Sequence, residues 1–553
     1  MRFCPHNDRR CFQRSTRLRL WTIAWRYALA ALLLVCFIAC SGERQRQETT
    51  GLRVGIEAEV QDLDPHLVTG VPEHRVLSAL FEGLVSLDPA SGQPIPGVAA
   101  SWEVSDDERV YRFYIRPDAE WSDGTPLTAQ DFVLSWRRML SPTLAAEYAY
   151  LLYCLKQGAA FHRKEMTDPG QVGAVALDDH TLEVHLERPT PYFLAMQIHM
   201  AWYPVPKHVV EKYGPWEERG TPWTLPGRLV SNGPYHLVEW RPNEYIRVKK
   251  NPHYWNAGGV LIPEIVFYPI ENLQTEERMF RNGALDMTAN LAFHLVPKYQ
   301  RDNPQVLRLD PYLGTYFYRL NVTRGPLQDK RVRQALSLAL DRDDLCRNVL
   351  RSGERPAFTF VPPELALHSD SYRLSYDPAR AKTLLAEAGY PEGKNFPPLE
   401  ILYNTSEAHK TIAEAIQRQW AQTLGIEVRL TNQEWKVYLS SLDTLDYSVA
   451  RSGWIADVPD AINFLECFLK ESGNNRTGFA SAEYEQIIHR IYDTLDPEAR
   501  RTLMEQAEAI LLDEAPVIPI YFYIRRFLIS PRVTGYTPNP LGFIRWQMLQ
   551  CTP

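Results

Sequence analysis

Eight cysteines in 553 residues, with no CxxC pair, give little basis for a zinc site. The chain also lacks the motifs that mark enzymes: it has no G-x-S-x-G elbow, no H-E-x-x-H, no G-x-G-x-x-G and no EF-hand loop. Gly389 to Asn395 (GYPEGKN) superficially suggests a phosphate-binding loop, but it is one spacer short and lacks the Ser or Thr that would hold magnesium, so it reads as a helix stop and loop. His180 and His185 lie near Asp178 and Asp179. In a strand-like stretch residues five apart point to opposite faces, which favours solvated or core histidines over a metal pair. No catalytic residue, metal or cofactor is expected, and the chain is not expected to be an enzyme. Basic charge is scarce beyond the N-terminus. Residues 1 to 39 hold seven arginines and one aspartate, and the remainder has 53 basic and 66 acidic groups, a net of −13. Such a body repels phosphate backbones, so nucleic acid is not an expected partner.

A long hydrophobic run is missing as well. The arginine-bearing N-terminus leads into Tyr27 to Ile38 (YALAALLLVCFI), whose twelve residues rise about 18 Å as a helix, short of the roughly 30 Å hydrocarbon core. This is the pattern of a signal peptide rather than of a stable span. FIAC at residues 37–40 resembles a bacterial lipobox, which makes Cys40 the expected lipidated residue and the membrane a partner through that lipid. An ordinary signal peptide with an incidental cysteine is the alternative. Ser41 to Thr50 is polar and aperiodic and reads as a tether, so folding is expected to start near Gly51. Cys154, Cys346, Cys467 and Cys551 then remain, with no pairing assignable from sequence.

What is present is the composition of a large globular protein, 45% hydrophobic and 23% charged, long enough for about three domains. Val110 to Arg116 alternates Tyr111, Phe113 and Ile115 with polar positions and predicts a half-buried strand. After a turn at 122–126, Thr128 and Asp131 form an approximate capping box ahead of Phe132, Trp136, Met139 and Leu140 at helical spacing. Asp377, Pro378 and Gly389 bracket another helix. Residues 329–340 and 413–424 read as amphipathic helices, the second followed by a strand at 426–430. Helices alternating with strands imply α/β layers.

Aromatic residues are plentiful, with 14 Trp, 28 Tyr and 21 Phe, and they concentrate in Tyr312 to Tyr318 (YLGTYFY) and Tyr521 to Tyr523. Such clusters either fill a core or line an adaptable ligand cleft. Several ordered runs coincide with one family: Leu63 to His66 (LDPH), Leu80 to Leu84 (LFEGL), Trp121 to Gly124 (WSDG), Ser231 to Tyr235 (SNGPY), Asn251 to Trp255 (NPHYW), Val332 to Leu336 (VRQAL) and Asn432 to Trp435 (NQEW). The chain from 51 to 550 resembles the periplasmic oligopeptide-binding proteins of ABC importers.

The resemblance implies an α/β, periplasmic binding protein-like fold (class II, cluster C), with two hinged lobes and an extra inserted domain. Its expected parts are a signal peptide at 1–39, a tether at 40–50, a discontinuous domain I (51–82, 208–313 and 524–553), domain II (83–207) and domain III (314–523). It further implies a monomer in the periplasm or cell envelope that binds an extended oligopeptide and delivers it to ABC permease and ATPase subunits. Dipeptides, muropeptides or another small solute are the alternative cargo, and a chaperone or adhesin role is the alternative outside transport.

Asp457, in the run ARSGWIAD, matches the aspartate that pairs with a peptide's amino terminus. Ser452, Gly453 and Trp454 fall in the loop that lines the cleft. Tyr148 matches a tyrosine that holds the ligand, and Val71, after Thr69 and Gly70, occupies a backbone-pairing strand. Asn404, His409 and Trp435 match pocket positions, and Arg451 matches an arginine for the carboxy terminus of short peptides. Phe317 and Arg319 complete the expected peptide-binding set. Without a ligand role, Asp457 reads as a turn cap, Arg451 as half of an internal ion pair, His409 as solvated, and Trp435 and Trp454 as core. A disulfide known in the family is absent here, where its positions are Gly314 and Ile455. Leu350 and Leu442 replace two basic positions and Arg319 replaces an acidic one, so the far end of the cleft differs from the family pattern.

Overall fold

The computed structural model describes residues 51–88, 91–365 and 375–552. The expected signal peptide, the tether and Cys40 lie outside the described residues. Three sheets organise the rest. The first runs in the order Leu52–Gly55, Glu264–Tyr268, Tyr245–Lys250 and Tyr235–Arg241, its first pair parallel and the others antiparallel. The second is antiparallel: Ala99–Val104, Val110–Ile115, Thr181–His185 and Ala174–Asp178. The third has six strands in the order Arg355–Pro356, Val517–Leu528, Leu307–Leu320, Val449–Ile455, Leu399–Asn404 and Val428–Gln433.

Local chemistry sets these elements as the sequence anticipates. In Val110–Ile115 the alternate residues Tyr111, Phe113 and Ile115 are buried while Arg112 is exposed. Thr128 caps the helix Ala129–Met139, and its backbone N–H donates to Asp131 Oδ2 at 2.8 Å, closing the capping box. Asp377 accepts the Arg380 N–H at 2.9 Å at the head of Pro378–Glu387, and Gly389 takes φ +97°, a conformation that favours glycine. The helix expected at 413–424 begins earlier, spanning Glu407–Leu424, with Ser406 as its extended N-cap residue. Gly425, at φ +70°, ends it, and the following strand starts at Val428 rather than 426. All four described cysteines are free thiols.

The LDPH run supplies a buried charge cluster. Arg138 is fully buried and pairs with Asp64 at 2.7 Å, while its Nε donates to the Trp216 carbonyl at 2.7 Å. Trp223 Nε1 also donates to Asp64 at 3.2 Å, and His66 Nδ1 lies 3.1 Å from Arg138 Nη1. Every partner comes from a distant part of the chain, so the cluster ties the residues near 64 to the helix Ala129–Met139 and to the loop near 220. Removing one side leaves a dry, uncompensated charge. Asp64→Ala is expected to destabilise the fold by about 3 to 5 kcal/mol, read as a lower urea midpoint with little change in slope.

Candidate functional site

Asp457 sits just beyond the strand Val449–Ile455, where its backbone N–H donates to Asn463 Oδ1 at 3.0 Å. Asn463 also receives Trp454 Nε1 at 3.3 Å, so one amide fixes both residues. The Asp457 carboxylate accepts the Tyr150 hydroxyl at 2.8 Å and has no cationic partner among the described residues. Burial pushes its carboxyl above the ordinary aspartate value, and the Tyr150 hydrogen bond opposes that only in part. A desolvated carboxylate short of a counter-charge is a receptor for an ammonium group. It opens onto a cavity of about 390 Å³ lined also by Thr69, Val71, Tyr148 and Ile455. The Tyr148 ring stands edge-on to His199 at 4.6 Å, and its hydroxyl reaches the Thr69 carbonyl at 3.5 Å.

Val71 departs from the expected strand. It is the first residue of the helix Val71–Leu80, and the extended conformation stops at Gly70, because Pro72 fits a first helical turn.

A second cluster forms on the six-stranded sheet. Antiparallel register sets Tyr318 opposite Arg451, Tyr316 opposite Gly453 and Gly314 opposite Ile455. The Arg451 guanidinium lies 5.0 Å above the Tyr316 ring and donates to Asn404 Oδ1 at 3.3 Å and to the Tyr523 hydroxyl at 3.1 Å. Its Nε has no hydrogen-bond partner, and no carboxylate pairs with it among the described residues. A Cβ on Gly453 would meet the Tyr523 hydroxyl at 2.5 Å, so any other residue there would require the Tyr523 side chain to shift. His409 Nδ1 is 3.3 Å from the Tyr316 hydroxyl, and burial, reinforced by the Arg451 charge, lowers its pKa to about 3. The half-exposed Trp435 stacks on Tyr438, whose hydroxyl donates to the Arg451 carbonyl.

Alternation puts the remaining residues on the opposite face. Phe317 pairs in register with Ser452 and is buried, edge-on to Phe360 at 5.0 Å. Arg319 is buried too, donating to Ser452 Oγ at 2.9 Å and to the Asn474 carbonyl at 2.6 Å. The structure thus gathers Thr69, Val71, Tyr148 and Asp457 around one cavity and Asn404, His409, Trp435, Arg451 and Gly453 in a second group. Phe317, Arg319 and Ser452 are packed into the layer beneath. Sequence reasoning did not single out Tyr150, Asn463, His74 or His199, and named Tyr523 only as part of an aromatic cluster. The spacing of Tyr148 and Tyr150 in EYAY was the available signal for the first of these.

Residues 93–476 match the family described as bacterial extracellular solute-binding proteins, family 5 Middle, and the chain belongs to that family, with its two-lobe α/β binding-protein fold. It is 38% identical to the periplasmic oligopeptide-binding protein OppA of Salmonella typhimurium, over 93% of this chain and 96% of that protein. It is 37% identical to the periplasmic murein peptide-binding protein MppA of Escherichia coli, over 88% and 90%. Among solved structures, Haemophilus influenzae OppA in complex with the peptide RPPGFSPFR superposes with a TM-score of 0.77 at 35% identity, covering 92% of this chain and all of that one.

The buried histidines give the fold a pH signature. Burial, with nearby arginine charge or a neighbouring histidine adding to it, lowers His66 and His74 to about 4 and His199 to about 3. Each is neutral in the fold and takes up a proton near pH 6.5 once unfolded, so its contribution is complete above 6.5 and drains as the pH falls toward 4. Glu276 and Glu508, pushed up to about 7 by burial, act with the opposite sign. The difference between the protein and His199→Gln isolates the histidine term. Between pH 6 and 4 the stability of the parent is expected to fall faster than that of the variant by up to about 1.4 kcal/mol per pH unit, measured by urea unfolding.

Proposed function

We propose that this chain is the solute-binding component of an ABC importer, capturing oligopeptides in the cleft and delivering them to the membrane permease. The observation that carries the reading is the Asp457 carboxylate, desolvated and without a cation, on the cavity shared with Thr69, Val71 and Tyr148. Membership of the solute-binding family and the likeness to oligopeptide-binding relatives support it. A free peptide supplies the missing ammonium at one end. At the other, its carboxylate meets Arg451, whose present acceptors are neutral oxygens. Only ligand that binds the closed form better than the open one can drive closure.

The division into domains I, II and III at 51–82, 83–207, 208–313, 314–523 and 524–553 belongs to this reading. The strands Leu307–Leu320 and Val517–Leu528 cross two of those boundaries, and a register shift between Pro311 and Thr315 breaks their pairing there. We take that irregularity as the place where the lobes hinge. A monomeric protein held at the cell envelope by lipid on Cys40, with no catalytic role, completes the proposal.

Titration calorimetry tests it. After partial unfolding to strip co-purifying ligand, tripeptides to pentapeptides are expected to bind, and N-acetylated counterparts to bind at least about a hundredfold more weakly, because acetylation removes the charge that Asp457 needs. Asp457→Ala should abolish that discrimination. Murein peptides, the cargo named for MppA, also carry an amino terminus, and tighter binding of a murein tripeptide than of Ala-Ala-Ala would shift the assignment to them.

A further inference from the structure

We propose that the same cavity holds an anion-recognising subsite formed by Arg75 and Arg525, which selects peptides carrying a carboxylate side chain near the amino end. Arg75 comes from the helix Val71–Leu80 and Arg525 from the strand Val517–Leu528, and both line the cavity that Asp457 opens onto. Each is almost fully buried, 8% and 9% exposed. Their acceptors are neutral: Arg75 Nη2 donates to the Ala289 carbonyl at 3.3 Å and Arg525 Nη1 to the Gly542 carbonyl at 3.0 Å. Arg75 Nη1 has no partner, and neither has Nε2 of His74 on the same wall.

The neighbouring acids compensate this charge only in part, through space. Among the described residues neither arginine forms an ion pair with a carboxylate. Glu57 lines the cavity and attracts Arg75 without forming an ion pair with it. Glu276 accepts the Ala289 N–H at 2.6 Å, and burial, which pushes it up to about 7, leaves it only partly ionised near neutral pH. Asp310 accepts the Tyr536 hydroxyl. Two buried guanidiniums that repel each other are costly to keep without an anion, and a carboxylate between them accepts hydrogen bonds from both. His74, kept neutral by burial and by the two arginine charges, can still donate from Nε2. A ligand with its ammonium on Asp457 and an acidic side chain on its first or second residue satisfies both ends of the cavity. The inference therefore rests on the peptide reading of the cleft and adds a preference to it.

Calorimetry with the full chain, stripped of ligand, against Glu-Ala-Ala, Ala-Glu-Ala and their Gln counterparts tests it. At one of the two positions the Glu peptide is expected to bind at least about tenfold more tightly than the Gln peptide. That ratio should fall to about one in Arg75→Gln and in Arg525→Gln, while Arg525→Lys keeps most of it. The two Gln variants alter different elements, so either carries the test if the other fails to fold. A ratio near one in the unmodified protein overturns the subsite and leaves the peptide reading standing. A ratio that survives both substitutions also overturns it. No binding by any of the four peptides overturns both.

Discussion

The antiparallel pairing of Leu307–Leu320 with its two neighbours is the constraint on which the site depends, because it fixes side chains from three remote segments relative to one another. On one side it sets Tyr318 opposite Arg451 and Tyr316 opposite Gly453, and on the other it sets Tyr316 opposite Tyr521. The Tyr316 and Tyr521 rings stack at 4.6 Å and give Arg451 an aromatic floor. The same register carries the Val449–Ile455 strand to the point where the chain leaves it and presents Asp457. A slip of one residue would exchange the two faces, bringing Phe317 and Arg319 up and sending Tyr316 down.

Charge in this protein follows two patterns. Some structural ions are matched, as with Arg138 and Asp64, or with Arg500 and Asp460 at 2.8 Å, while buried Arg342 and Arg319 are held by neutral oxygens alone. The ions around the cavity and on the six-stranded sheet are unmatched together: Asp457 has a tyrosine, Arg451 has an amide and a tyrosine, and Arg75 and Arg525 have backbone carbonyls. A buried charge left with neutral partners is retained at the expense of stability, which is understandable where a ligand supplies the opposite charge. The unmatched set is both acidic and basic, as a zwitterionic ligand requires.

Much of this was legible in the sequence where local chemistry decides structure. Thr128 with Asp131, Asp377 with Pro378, and the alternation of Tyr111, Phe113 and Ile115 each announce an element through contacts within a few residues. The family resemblance carried the site further, placing Asp457, Tyr148 and Arg451 among the functional candidates. What escaped was set by tertiary contacts. Tyr150, which no local pattern distinguishes from Tyr148, donates to Asp457. Val71 starts a helix, and Arg319 turns out to be packed beneath the sheet. The charge pair Arg75 and Arg525, 450 positions apart in sequence, has no local signature at all.

In the proposed complex a peptide's amino terminus neutralises Asp457. A crystal structure of the protein with bound Ala-Ala-Ala tests it most directly. The ligand's ammonium nitrogen is expected about 2.7 to 2.9 Å from the Asp457 carboxylate, with Tyr148 and the 69–71 segment alongside. A peptide bound with its amino end elsewhere, while Asp457 remains engaged by Tyr150 alone, would contradict it.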